Sequence, residues 1–163
     1  MPPMSRLLGI FRVSLIAFCC MPALLACSEQ LFHTRFSTIH YAQDKELSDL
    51  VWRISGRTID GKGDTDMVRS RVDEIVERVE GLLGMYPNAL HVDLYLEPKY
   101  LGGDIAQYSR DKKCITVAVD RVTDGVLAHE IAHAVINSYF QVPPPKKVQE
   151  ILAQYVDRQL WSE

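Results

Sequence analysis

The chain is 163 residues long, 47% apolar and 24% charged, with a net charge of −3 at neutral pH. That length suits one globular domain and is short for two, and the composition excludes disordered and collagen-like chains. The acidic balance argues against a nucleic acid or any other polyanion as partner.

Residues 1–26 read as a secretory signal. Arg6 and Arg12 form a basic start, and the uncharged run from Val13 to Ala26 is too short to span a bilayer. Leu24-Leu25-Ala26-Cys27 resembles a bacterial lipobox, in which the cysteine is acylated and becomes the mature N-terminus. The resemblance implies a lipid on Cys27, membrane attachment without a transmembrane helix, and a single mature domain over 27–163. Ser28 after the cysteine implies sorting to the outer membrane, facing the periplasm; plain secretion, or an uncleaved hydrophobic anchor, is the alternative. Cys19 and Cys20 leave with the signal, so Cys114 remains alone and no internal disulfide framework is possible. An unmodified Cys27 would instead be free to bridge to Cys114.

Along the mature chain, Phe36 to Ala42 is rich in β-formers and reads as a strand, and Asp44 to Ile54 carries Leu47, Leu50, Val51 and Ile54 at helical spacing. Gly56 to Asp64, with three glycines, is a loop. From Asp64 or Thr65, apolar residues recur every three or four positions from Val68 to Leu83, and Gly84 with Pro87 closes this long amphipathic helix, which should back a sheet. Strands are expected at Leu90–Leu96, Ile105–Ser109 and Cys114–Val119, the last two joined as a hairpin by Arg110-Asp111-Lys112-Lys113. A helix follows from about Asp124 to Tyr139. The prolines 143–145 end it, and a last helix, Lys146 to Leu160, is expected to bury Val148, Ile151, Leu152, Tyr155 and Val156.

The chemistry concentrates in His129-Glu130-Ile131-Ala132-His133, an HExxH sequence inside a segment that periodicity makes helical. At 100° per residue His133 lies about 40° from His129, Asn137 about 80° and Glu130 about 100°, while apolar side chains take the rest of the circumference. This is a buried helix with one polar arc. Leaving two imidazoles and a carboxylate buried without partners costs on the order of several kcal/mol, and a divalent cation removes that cost. Histidines four apart present ring nitrogens to one point, and the offset Glu130 reaches a water on the cation rather than the cation itself. A catalytic zinc needs a third protein ligand. Glu150 and Asp157 are the downstream candidates, because His33, His40 and His91 all precede the helix.

His129-Glu130-x-x-His133 followed, 17 residues on, by Glu150-Ile151-Leu152-Ala153-Gln154-Tyr155 resembles the gluzincin group of zinc metallopeptidases, whose second motif is typically Glu-x-x-Ala-x-Tyr. The resemblance covers about Ile105 to Leu160. It implies an α+β, zincin-like fold: a small mixed sheet with a backing helix, the HExxH helix, and a C-terminal helix carrying the third ligand. It further implies one Zn2+ per chain on His129, His133 and Glu150, with Ala153 letting the two helices approach closely. Glu130 would be the catalytic base for zinc-activated water in peptide-bond hydrolysis, more in the manner of an endopeptidase than an exopeptidase. The hairpin's first strand would be the sheet edge that pairs with an extended peptide or protein substrate, with Gly103, Ile105 and Ala106 as the substrate-binding residues. Ile151 stands where many members have glycine, and Gln154 where some carry an acidic residue supporting a zinc histidine, a role left to Gln154 or Asp157. Tyr108, Tyr139 and Tyr155 are the candidate oxyanion stabilisers, and spacing does not choose among them. The competing reading is a lipid-anchored binding or assembly module with a structural or inactive zinc site.

Overall fold

The computed structural model describes residues 29–55 and 65–162. The expected signal, the lipid-bearing Cys27 and the glycine-rich loop 56–64 lie outside the described residues. Among the described residues nine elements follow one another: β1 (Gln30–His33), β2 (Ser37–Tyr41), α1 (Asp44–Ser55), α2 (Thr65–Leu83), β3 (Val92–Glu97), β4 (Ala106–Ser109), β5 (Cys114–Ala118), α3 (Asp124–Tyr139) and α4 (Lys146–Gln159). This is the expected α+β architecture: a mixed sheet, a backing helix, a helix carrying both motif histidines, and a C-terminal helix bearing the third acidic residue.

The strands form one five-stranded sheet in the order β1-β2-β3-β5-β4. β2, β3 and β5 run parallel, while β1 and β4 pair antiparallel at the two edges. In β3 the side chains alternate: Val92, Leu94 and Leu96 are buried, whereas Asp93, Tyr95 and Glu97 lie on the open face. One face of the sheet is therefore packed and the other is wet. Ile39, Leu94, Ile115 and Val117 meet α1 through Leu47, Leu50, Val51 and Ile54, α2 through Val68, Val72, Ile75 and Val79, and α3 through Leu127, Ile131 and Val135, in one continuous core. Each such fully buried aliphatic side chain contributes roughly 1.5–3 kcal/mol relative to exposure.

Local chemistry sets the boundaries. Thr123 caps α3, its hydroxyl accepting from Val126 N–H at 3.3 Å. Gly84 stops α2 at a φ of +61°, where Met85 N–H returns to the Glu80 carbonyl at 3.1 Å. The hairpin β4–β5 closes through Lys113, whose N–H donates to the Arg110 carbonyl.

Two expectations are corrected. β1 is a strand that the sequence pattern does not announce, a mostly exposed edge of four residues paired with β2. In α4, Val148, Ile151 and Tyr155 are 42%, 57% and 48% exposed rather than buried. The inward face is Ala153 and Val156, both 0% exposed, followed by Leu160. α4 meets α3 along this narrow face, which leaves the more apolar stripe of the helix turned outward.

Candidate metal centre

α3 sits against the packed side of β4 and β5, and its polar arc faces a cleft of about 790 Å³ between β4, α3 and α4. That is the size of an ordinary ligand or substrate site. His129 and His133, one turn apart on α3, bring their ring centroids to 5.1 Å with the planes at 67°. Glu150, in the first turns of α4, completes the group. Its Oε2 lies 3.5 Å from His129 Nε2 and its Oε1 lies 3.6 Å from His133 Nε2. The three donor atoms all fall within 4.8 Å of one another.

The two carboxylate–imidazole separations exceed an ordinary hydrogen bond and come close to the spacing between donors that share one metal ion. Bonds of about 2.0–2.1 Å arranged tetrahedrally hold their donors roughly 3.3 Å apart. Two imidazole nitrogens and a carboxylate oxygen are a donor set suited to zinc, and His129, His133 and Glu150 would be the residues to hold it. Burial holds the His133 pKa below the ordinary histidine value, against the opposing pull of the Glu150 carboxylate. The neutral, metal-ligating form is therefore favoured.

The two helices are tied beside the triad. Asn137 Nδ2 donates to the His133 carbonyl at 2.7 Å and to Gln149 Oε1 at 2.9 Å, and Gln149 Nε2 donates to the Pro144 carbonyl at 2.8 Å. This brace anchors the start of α4, and with it Glu150, to the histidine-bearing turn of α3. Asn137 stood on the polar arc in the sequence, but its link to Gln149 depends on the helix pairing and no sequence spacing reveals it. Gln154, considered as a supporting residue, is exposed. Asp157 lines the other end of the cleft and lies against Gly125, where the Cβ of any other residue would meet the Asp157 carboxylate.

Glu130 points out of the triad toward β4. Its Oε2 accepts the Tyr108 N–H at 2.7 Å. Burial raises its pKa above the ordinary glutamate value, and the Tyr108 hydrogen bond and the neighbouring His129 only partly offset this. The Ile105 carbonyl accepts from Ala118 N–H at 2.9 Å, so Ile105 turns its backbone to β5. Alternation then turns the backbone groups of Ala106 and Tyr108 toward the free edge. Gly103, Ile105 and Ala106 all line the cleft, each in a distinct way. Ala106 presents edge groups, Ile105 a half-buried side chain, and Gly103 the bend into the strand, at a φ of +101° and with its carbonyl taken by the Tyr100 hydroxyl at 2.7 Å. Of the three tyrosines considered, Tyr108 lines the cleft, whereas Tyr139 and Tyr155 are each 48% exposed and do not. Tyr100, not anticipated, lines it too.

The remaining histidines belong to the open face of the sheet. His33 and His91 flank the Thr38 hydroxyl at 3.1 and 3.0 Å, and His40 contacts Glu29 and Asp93 at 3.0 and 3.4 Å. Comparison with protein-family models, curated proteins and solved structures returns no match.

Proposed function

We propose that the protein is a zinc-dependent peptidase of gluzincin type, an endopeptidase that hydrolyses a peptide or protein chain laid along the free edge of β4. The observation that carries this reading is the pairing of a three-donor triad with Glu130. The carboxylate of Glu130 faces the edge strand at Tyr108 N–H, in the same cleft as the three donors. His129, His133 and Glu150 would hold a zinc ion, which when bound would supply Lewis acidity to water and to a carbonyl. Glu130 serves as the general base, holding the proton that water gives up and returning it to the leaving amine. The outward N–H and C=O of Ala106 offer a substrate backbone an added-strand pairing, with Ile105 and Gly103 shaping the adjoining wall. A purely structural zinc would ordinarily be closed by a fourth protein ligand, and among the described residues the group has three.

The Cys27 lipid and the cell envelope belong to the same proposal. Among the described residues no helix is long and apolar enough to cross a membrane. Attachment is proposed through the N-terminal lipid. The test is hydrolysis of quenched fluorescent peptides by the zinc-loaded protein. Glu130→Gln should retain zinc and lose about 10²–10⁴-fold in turnover. Unchanged turnover in that variant would remove Glu130 from the chemistry, and loss of zinc with it would contradict its role as base.

A further inference from the structure

We infer that the cleft selects a peptide carrying acidic residues on the N-terminal side of the cut bond and basic residues on the C-terminal side. The inference rests on the peptidase reading above and names its substrate class. Four exposed charges line the cleft, Asp104, Asp157, Arg110 and Lys146, and among the described residues none of the four has an ion-pair partner within salt-bridge distance.

Their signs are segregated by the topology. Asp104 precedes β4 and Arg110 follows it, about 20 Å apart along extended chain. β5 runs antiparallel to β4 and ends where Ala118 N–H donates to the Ile105 carbonyl, so α3, starting six residues on at Asp124, begins beside the Asp104 end, and Glu130, farther along α3, meets Tyr108 farther along β4. Asp104 thus lies toward the start of α3 and Arg110 toward its end. α4 runs antiparallel to α3: Trp161 Nε1 donates to Asp124 at one end, at 2.5 Å, and Asn137 donates to Gln149 at the other, at 2.9 Å. Asp157, packed on Gly125, therefore shares the Asp104 end, and Lys146 shares the Arg110 end about 16 Å away along α4.

A groove with one sign of charge at each end orients a dipolar ligand before any side-chain pocket does. Antiparallel pairing is the more stable way to add a strand to β4. A substrate so paired passes Arg110 and Lys146 with its N-terminal half, and Asp104 and Asp157 with its C-terminal half. Two exposed charge contacts at each end amount to roughly a tenfold preference.

The experiment uses the zinc-loaded full chain and two quenched peptides of equal composition around the same neutral centre. One has two acidic residues before the centre and two basic residues after it; the other has the reverse order. The first should show about tenfold higher kcat/KM, shrinking toward parity in 0.5 M NaCl as exposed charges are screened. Arg110→Glu combined with Lys146→Glu should abolish or invert the ratio, and Asp104→Lys should reduce it independently. Equal cleavage of both peptides, or preference for the reversed order, overturns the inference and leaves the peptidase reading standing. Cleavage of neither peptide by protein shown to hold zinc overturns both.

Discussion

Ala153 is the residue through which the third ligand is coupled to the packing of the helices. It is 0% exposed, one turn beyond Glu150 on the face of α4 that meets α3. Ala153→Ile adds three heavy atoms where there is no surface for them to escape to, and overpacking of this kind costs about 1–3 kcal/mol. For a domain of this size each kcal/mol lowers Tm by roughly 3–5 °C, so a fall of about 3–15 °C is expected. The substitution also forces α4 away from α3. Metal donors tolerate errors of about 0.2 Å, so zinc affinity should fall by at least about tenfold. Ile151→Ala is the matched control on the same helix: the side chain is 57% exposed, and its removal should change stability by no more than about 0.5 kcal/mol and leave zinc affinity alone. Thermal unfolding and competition titration against a chromophoric chelator read the two effects. An Ala153→Ile protein with the melting temperature and zinc affinity of the wild type would refute the docking of α4 on α3 through this face.

Asn137→Ala removes the brace between the His133 carbonyl and Gln149, and zinc affinity measured by the same titration should drop about 10–100-fold with the fold retained. Glu80 is 7% exposed, and burial raises its pKa above the ordinary glutamate value of 4.5, with Arg35 partly offsetting this. Its contribution to stability is therefore full below pH 4.5 and lost as pH rises through the raised value. Glu80→Gln should melt higher than wild type at neutral pH, with the difference closing on acidification; a gap that widens toward low pH would reverse the sign. Cys27→Ser should move the protein from the membrane fraction to the soluble fraction of the expressing cell, and unchanged fractionation would remove the lipid anchor from the account.

Much of the site was legible because it is local. HExxH and the apolar periodicity of α3 lie within one helix, so the histidine pair and the offset of Glu130 follow from 100° steps alone. Glu150 was legible because the prolines 143–145 force a reversal and its motif starts the next helix. What lay outside the pattern depends on which faces meet. Val148, Ile151 and Tyr155 have the spacing of a buried stripe, yet α4 packs through Ala153 and Val156, because close helix approach needs small residues and leaves the larger ones outward. The Tyr108 N–H bond to Glu130 joins backbone to side chain across 22 positions, and the Asn137–Gln149 contact spans 12; neither leaves a trace in local periodicity. β1 went unseen because four mostly exposed residues at a sheet edge need no alternation.

The most direct measurement is zinc content and affinity of the purified protein beside His129→Ala, His133→Ala and Glu150→Ala. About one zinc per chain is expected in the wild type and a loss of at least about tenfold in affinity for each variant, with melting curves showing the variants folded. A Glu150→Ala protein that binds zinc as tightly as the wild type would contradict the assignment of α4 as the source of the third ligand, and a wild type without zinc affinity would contradict the metal centre itself.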